Sequence, residues 1–255
     1  MQPVAKQGEW VCLGDADYED FERLENYFSE SGSITSLISA FEELPEVLKD
    51  NHRSKVLKGS LDLLGRQTVI VAKSPVDKNR RKWSRLISLF APGEAAATLI
   101  NLNKMIAAGL ETTRPICVIE RRQFKMVVDS WICYEFREGD VCGVSGLEDI
   151  AELLRNMHSA GFRHDDPTWN NFLRDPSGTL FTIDTKAKPC TGMYHATRDF
   201  IALRQANCIY DIDIEKLGNL DSSSVGYRTA ILYAGYKSIR TKIKDKLKKN
   251  RPKNS

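Results

Sequence analysis

Hydrophobic spacing along the first half of the chain predicts two helices followed by a small sheet. Apolar residues recur at three- and four-residue intervals over 18–28 and 34–41, which is the period of amphipathic helices. Strand-like composition, rich in β-branched residues, follows in five stretches: residues 55–57, 61–64, 68–72, 116–119 and 126–136. A helical pattern over 93–108 interrupts these strands. The first half is therefore predicted to be a sheet with one intervening helix.

Helical patterns dominate the second half. Its first apolar stripe has the spacing of one helix face and comprises Leu147, Ile150, Ala151, Leu154 and Met157. The spacing from Ser145 to Glu148 predicts a capping box at the start of this helix. Two short apolar pieces, 172–173 and 180–183, follow as a hairpin whose turn, 175–178, has Pro and Gly where a type I turn favours them. Helical composition returns after Ala196.

This order of elements predicts an α+β protein with four parts. We expect an acidic, partly helical extension over 1–50, a β-rich region over 51–138, a helical region over 139–236 and a basic tail over 237–255. Of the 255 residues, 42% are hydrophobic and 28% are charged, which is the balance of a soluble domain with its own core.

Composition excludes several classes of protein. No stretch approaches the roughly 18 consecutive apolar residues of a membrane span, and the first residues lack the apolar segment of a secretory signal. The six cysteines are far apart, without a Cys-x-x-Cys pair, and the four histidines show no metal-ligand spacing. We therefore expect a cytoplasmic protein with reduced thiols and no zinc site.

The net charge of +3 conceals an uneven distribution along the chain. Twelve acids stand between Glu9 and Asp50 against two bases, whereas nine bases follow from Lys237 against Asp245 alone. A basic end attracts an anionic membrane surface by about 1 kcal/mol per base, or it is simply a solvated end that aids solubility. A second basic cluster over 78–85 is either a solvated helix start or a site that recognises an anionic acceptor.

Candidate chemistry lies where the sheet-rich half meets the helical half. Asp166 is followed by Asn171 five residues later and by Asp184 at the end of the predicted hairpin. Phosphoryl transfer from a nucleotide needs a carboxylate near the attacking hydroxyl, oxygen ligands for Mg²⁺ and a cation on the phosphates. Asp166 fits the first role, Asn171 and Asp184 fit the second, and Lys73, at the end of a β-branched strand, fits the third.

These residues resemble the protein-kinase-like superfamily. His164, Asp166 and Asn171 match its catalytic loop, H-R-D-x-x-x-x-N, and Val71-Ala72-Lys73 matches its lysine strand. The resemblance implies a two-lobed fold with a small β-rich N-lobe and a helical C-lobe that close over ATP. It also implies that Glu94 pairs with the strand lysine, and that the segment containing Glu135 and Phe136 holds adenine.

Within the superfamily, the chain is more similar to bacterial kinases that phosphorylate heptose in the lipopolysaccharide inner core. The similarity lies in the segments 73–75, 80–83, 86–89, 161–167, 183–190 and 198–203. It implies a cytoplasmic enzyme that uses ATP and Mg²⁺ and acts on a lipid-linked core saccharide at the inner face of the membrane.

The sequence also departs from the superfamily pattern. No G-x-G-x-x-G precedes Lys73, where only Gly59 and Gly65 are available, and Thr185-Lys186 replaces the Phe-Gly that usually follows the metal-binding Asp. The alternatives are a kinase of another small-molecule or protein acceptor, and a non-catalytic pseudokinase binding module. A nucleic-acid binder is the weakest alternative, because it rests on the basic end alone.

Overall fold

The computed structural model describes residues 1–15, 19–30, 32–62 and 67–249, without the side chains of 19–20, 242 and 244–249. Several predicted features lie outside the described residues: the helix start at Tyr18, the strand end at 63–64, Gly65, and the tail after Lys249. The chain divides into two compact units, Met1–Glu138 and Gly139–Ser255, called unit 1 and unit 2 below.

Unit 1 is built on one antiparallel sheet with helices on both faces. Its elements in chain order are β1 (Gln2–Gln7), β2 (Trp10–Gly14), α1 (Glu19–Glu30), α2 (Ile34–Glu42), β3 (Glu46–Asp50), β4 (Lys55–Asp62), β5 (Gln67–Ser74), α3 (Val76–Arg80), α4 (Lys82–Ile87), α5 (Glu94–Ala107), β6 (Pro115–Gln123) and β7 (Met126–Glu135). The seven strands are ordered β1-β2-β6-β7-β5-β4-β3. The helices α1, α2 and α5 and the strands β5, β6 and β7 confirm predictions, whereas the predicted strands 55–57 and 61–64 belong to one strand, β4, whose described part ends at Asp62. The short helices α3 and α4 were not predicted, so three helices rather than one intervene between β5 and β6.

The two faces of this sheet form separate cores. On one face, Leu24 of α1 and Phe41 of α2 pack with Ile70, Ala72 and other buried residues of the sheet. On the other face, the α5 side chains of Ala96 and Leu99 pack with buried strand residues. Alternation of side chains along each strand therefore decides whether a residue faces α1 and α2 or faces α5.

Residues 1–50 differ from the separate acidic extension that the sequence predicts. The strands β1, β2 and β3 pair into the same sheet as the strands after residue 50, and α1 and α2 cover one of its faces. The charge pattern led to the separate assignment, but Leu37 and Phe41 are fully buried against the sheet. The segment is therefore part of the core of unit 1.

In its described residues, unit 2 contains short strands and four α-helices. Its elements are β8 (Asp140–Val141), α6 (Leu147–Ser159), β9 (Phe162–Arg163), β10 (Phe172–Arg174), β11 (Leu180–Thr182), β12 (Lys188–Pro189), α7 (Met193–Ala206), α8 (Ile214–Gly218) and α9 (Val225–Lys249). The predicted hairpin is confirmed as β10 and β11, and its turn is closed by a bond of 2.9 Å from the Gly178 amide to the Asp175 carbonyl.

Two local predictions for unit 2 fail. The prediction of a capping box at Ser145 is wrong. Residues 144–146 form a 3₁₀ turn, and the N-cap of α6 is Gly146, which has no side chain to cap the helix. The predicted tail boundary at residue 237 falls inside the continuous helix α9. Among the described helices, none is both long and apolar enough to cross a membrane.

Candidate active site

The loop after β9 is held by one buried carboxylate from α7. Asp199, only 2% exposed, accepts hydrogen bonds from the backbone amides of His164 at 2.7 Å and Asp165 at 3.0 Å, one on each oxygen. The imidazole Nε2 of His158, on α6, lies 3.1 Å from the same carboxylate. These bonds anchor the start of the predicted catalytic loop to α6 and α7.

His164 is a buried, neutral part of this framework. Its Nδ1 accepts the backbone N–H of Asp166 at 3.4 Å, so Nε2 carries the proton and donates to the hydroxyl of Thr182 at 2.6 Å. Burial lowers the pKa of the imidazole below its usual value. The carboxylates of Asp199, Asp166 and Asp184 act on this pKa in the opposite direction.

Asp166 and Asn171 are joined across the loop. The Asn171 side-chain amide donates to the Asp166 carbonyl at 2.8 Å, and the backbone amide of Thr168 donates to the same carbonyl at 2.9 Å. The Asn171 nitrogen is thereby used within the loop, which leaves its side-chain oxygen as the ligand atom. Asp166 itself is exposed.

Asp184 is tied to Asn171 through the preceding strand. The Asn171 carbonyl accepts the Ile183 amide at 2.9 Å and the Thr182 hydroxyl at 3.1 Å. Asp184 follows directly, is exposed, and has a φ of 51°, a left-handed conformation that is uncommon for a residue with a side chain. Unit 2 therefore brings Asp166, Asn171 and Asp184 together on one hydrogen-bonded framework.

The carboxylate of Asp165 is paired with two cations. Its carboxylate accepts from the Lys188 ammonium at 2.6 Å and lies 3.6 Å from the Arg163 guanidinium. Although partial burial acts in the opposite direction, these cations hold the pKa of Asp165 below its usual value. Lys188 and Thr182 are functional supports that sequence reasoning missed, since no spacing pattern links them to the loop.

Lys73 lies in unit 1, on the sheet face covered by α5. It pairs in register with Ile132 of β7, and cross-strand partners share a face of the sheet. Ile132 packs with Ala96 and Leu99 of α5. Lys73 and the helix that begins with Glu94 are therefore on the same side of the sheet.

The start of α5 is organised by two acids. Glu94, its first residue, forms an ion pair with Lys78 of α3. Glu120 of β6 is fully buried, and its carboxylate bonds to the Arg122 guanidinium at 2.6 and 3.0 Å. Gly93 is required at the N-cap, because a Cβ there would overlap the Glu120 carboxylate. Burial raises the pKa of Glu120, against the opposing effects of Arg122 and the Ala96 amide.

The segment with Glu135 and Phe136 uses part of its backbone within unit 1. The Glu135 amide donates to the Arg114 carbonyl at 2.9 Å, and the Phe136 amide donates to the Val69 carbonyl at 2.8 Å. The Lys58 ammonium lies 4.0 Å from the centre of the Phe136 ring. An adenine held here would therefore need the carbonyls of this segment or a later amide, because these two N–H groups are already bonded.

The donor set of unit 2 fits a hard cation. Asn171 and Asp184 offer an amide oxygen and a carboxylate, which are ligand types that Mg²⁺ accepts together with phosphate oxygens and water. In the described residues, no group of three or more His, Cys, Asp or Glu side chains could hold a metal.

Comparisons with known proteins identify the fold. No family model and no curated protein matches the sequence. Among solved structures, the chain is similar to one described as WaaP in complex with acyl carrier protein, with 14% identity and a TM-score of 0.54, over 90% of this chain and 98% of that chain. With its β-rich first lobe and helical second lobe, the protein has a two-lobed α+β fold of the protein-kinase-like type.

Proposed function

We propose that the protein is an ATP- and Mg²⁺-dependent phosphotransferase with an alcohol group as acceptor. The observation that carries this proposal is the Asn171 framework, which links the loop of Asp166 to the strand that ends before Asp184. Two oxygen ligands and one exposed carboxylate on a rigid support are what phosphoryl transfer needs from a protein, because the step depends on positioning and electrostatics.

Each proposed role follows from the chemistry of the side chain. The Asp166 carboxylate accepts the proton of the acceptor hydroxyl. The hydroxyl oxygen bonds to the γ-phosphorus, and the bond from that phosphorus to the bridging oxygen breaks to release ADP. Asn171 and Asp184 hold Mg²⁺, which neutralises charge on the phosphates. Lys73 of unit 1 binds the α- and β-phosphates as a point charge, and the segment of Glu135 and Phe136 holds adenine. The family resemblance assigns Glu94 the orientation of that lysine, and in the structure Glu94 forms an ion pair with Lys78.

The proposed acceptor is a sugar hydroxyl, specifically a heptose of a lipid-linked lipopolysaccharide core saccharide. This assignment is supported by the sequence similarity in the segments 73–75, 161–167 and 183–190. It is also supported by the bases of the cluster over 78–85, because core saccharides carry anionic groups that guanidinium groups bind in pairs. The protein then works on the cytoplasmic side of a membrane that displays this acceptor.

A peripheral contact of α9 with an anionic membrane fits this acceptor. Exposed apolar residues follow one another at helical spacing on α9: Leu232, Tyr236, Ile239 and Ile243. Basic residues accompany them in the sequence, and Asp245 is the sole acid from Lys237 onward. An apolar stripe bordered by bases is the pattern of a helix that lies in a membrane interface.

The substitution Asp166→Asn tests the phosphotransfer itself. The amide keeps the shape but cannot accept a proton, so turnover on purified core saccharide is expected to fall by about 10²- to 10⁴-fold. Binding of Mg²⁺-ATP, followed by thermal shift, should remain. Glu152→Gln, on the exposed side of α6, is the matched control and should keep full turnover.

Transfer of a labelled γ-phosphate to a panel of acceptors separates the rival functions. Full turnover of the Asp166→Asn variant removes Asp166 from the reaction. Transfer to an aminoglycoside, a small alcohol or a protein serine in preference to core saccharide replaces the acceptor but keeps the mechanism. Absence of any Mg²⁺-ATP shift in the wild-type protein indicates a non-catalytic binding module.

A further inference from the structure

A cavity of about 340 Å³ lies in unit 1, apart from the residues assigned to nucleotide binding. Trp131 and Ser74 are among its lining residues, and Trp131 belongs to the core on the α1 and α2 face of the sheet. Ser74 follows Lys73 on β5, so its side chain is on the face opposite to that of Lys73. The cavity is therefore separated from the proposed phosphate-binding lysine by the sheet.

Positive charge dominates this cavity. Four elements contribute a base each: Lys55 from β4, Arg80 from α3, Arg85 from α4 and Arg121 from β6. Two acids, Glu42 and Asp129, also line it. Throughout the described ranges, none of the four bases forms an ion pair with a carboxylate within 4.0 Å. Lys55, Arg85 and Arg121 are half-buried, whereas Arg80 is exposed. Because partly desolvated charge is costly, this excess of bases over acids favours an anion in the cavity.

Arg121 gives the most direct indication of a missing partner. Its Nε is buried and has no hydrogen-bond acceptor among the described residues. The Cζ atom of its guanidinium lies 5.6 Å from the Trp10 ring centre. Asp129 is its cross-strand partner on β7. Burial raises the pKa of that carboxyl, against the opposing effects of the Ser130 amide, Arg121 and Asn79, and the Asn79 amide donates to it at 3.2 Å.

Arg85 is held by a polar framework around Asn79. The Arg85 Nε donates to the Asn79 carbonyl at 2.7 Å, and the Ser130 hydroxyl donates to the Asn79 side-chain oxygen at 2.9 Å. Asn79 thus connects α3, α4 and β7 on one side of the cavity. The remaining N–H groups of Arg85 keep the forked arrangement that binds a phosphate through two hydrogen bonds.

Large apolar side chains stand beside these bases in the chain. Trp83 is 71% exposed and Phe90 is 90% exposed, and Leu86 and Ile87 are each 46% exposed. All four lie in or just after α4, the helix that supplies Arg85. An exposed tryptophan with aliphatic and basic neighbours is typical of a segment at a membrane interface.

We propose that this cavity binds the phosphate group of an anionic lipid, while Trp83, Leu86, Ile87 and Phe90 contact the acyl boundary of the same membrane. A free phosphate ester shares the headgroup chemistry, but it leaves the four exposed apolar side chains without a partner. The cavity therefore gives unit 1 its own membrane-binding site. Arg80 and Arg85 of the cluster over 78–85 then bind a lipid phosphate rather than the core saccharide. Vesicle binding at this site requires neither nucleotide nor sugar acceptor, so it is tested separately from the proposed phosphotransfer.

Co-sedimentation with vesicles tests this proposal on the full chain. The double variant R80Q/R85Q removes two bases that line the cavity. The control R81Q/K82Q removes two bases of the same cluster that are not among the lining residues. Both variants lose the same charge, and α9 is unchanged in both. On vesicles of phosphatidylcholine and phosphatidylglycerol, R80Q/R85Q is expected to bind about tenfold or more weakly than R81Q/K82Q, since loss of charge-assisted bonds costs more than loss of screened surface charge.

The substitutions Trp83→Ser and Phe90→Ser, which change no charge, should also weaken vesicle binding. Circular dichroism and urea unfolding of each variant confirm that the fold is kept. An equal loss in the two charge variants, or binding unaffected by R80Q/R85Q, overturns the cavity assignment. A further contrary result is that inorganic phosphate stabilises the wild-type protein against heat but not the R80Q/R85Q variant, while vesicle binding of that variant is unchanged. This result overturns the lipid assignment in favour of a free phosphate ester.

Discussion

At the scale of single residues, the strongest constraint on the candidate site is Asp199. Its two oxygens accept from different backbone amides, that of His164 and that of Asp165, and neither amide has another partner in the framework. The side chain touches no proposed reactant, so it acts as a positioning residue for Asp166. Removing its charge should therefore affect both folding and turnover.

The variant Asp199→Asn turns one acceptor oxygen into a donor that faces a buried N–H group. We expect the free energy of unfolding to fall by about 2–4 kcal/mol, the cost of an unsatisfied buried donor plus a lost charge-assisted bond. Urea denaturation measures this loss, and Asp211→Asn, at an exposed loop position, serves as the control. Equal stability of both variants would show that the carboxylate does not anchor the loop.

Glu120 permits a prediction on pH dependence. Because its pKa is raised in the folded protein, the unfolded chain releases this proton first as the pH rises above the ordinary value of 4.5. Glu120 therefore lowers stability progressively from that pH upward until the folded protein also ionises. The neutral variant Glu120→Gln lacks this contribution, so its free energy of unfolding should improve relative to wild type as the pH rises.

Urea unfolding of both proteins between about pH 4 and pH 7 measures the difference. Glu152→Gln, in which an exposed acid is neutralised, should run parallel to wild type over the same range. A constant offset between Glu120→Gln and wild type, independent of pH, would mean that Glu120 has an ordinary pKa in the folded state.

At the scale of elements, sequence patterns predict the strands that have a buried face and miss the strands at the edges of the sheet. The strand over 68–72 was predictable because it is rich in β-branched residues and its alternate residues Ile70 and Ala72 are buried in the core beneath α1 and α2. In contrast, β3 is fully exposed along its length and β1 contains Pro3, which edge strands tolerate. Neither carries the alternation that defines a strand, so the first fifty residues were interpreted as an extension.

The candidate site shows the same division between local and distant signals. Spacing within the loop was enough to propose Asp166, Asn171 and Asp184, because the three residues lie within twenty positions of one another. The bond from Lys188 to Asp165 and the donation from His164 to Thr182 depend on how strands meet, and no local pattern reports this. The cavity of Arg121 was equally hidden, since its bases come from four separate elements.

The exposed apolar stripe of helix α9 leads to a prediction on membrane binding. Ile239 is 60% exposed within the apolar stripe, whereas Ile231 is 37% exposed outside it. If the stripe enters a membrane interface, Ile239→Ser loses apolar contact and should weaken binding to anionic vesicles by about three- to tenfold. The same change at Ile231 is the matched control. Equal effects at both positions would leave the stripe without a role in membrane binding.

At the scale of the whole molecule, the proposed reaction draws on both units, with Lys73 in one and Asp184 in the other. A ligand that binds only the folded state stabilises it by about 2.7 kcal/mol at a concentration of 100 Kd. If one Mg²⁺-ATP uses both residues, Lys73→Met and Asp184→Asn should each remove most of the thermal shift that it causes. Lys104→Met and Asp211→Asn, both exposed and outside the site, should retain the full shift.

The pattern across these variants distinguishes one shared nucleotide from separate binding to each unit. Loss of the shift in both site variants, with unchanged melting in the absence of ATP, is the expected result, because neither side chain belongs to a buried core. Loss in Asp184→Asn alone would assign the metal and nucleotide to unit 2 and remove Lys73 from phosphate binding. Repeating the measurement with Mg²⁺ omitted should abolish the wild-type shift, since Asn171 and Asp184 then offer only neutral and negative groups to the phosphates.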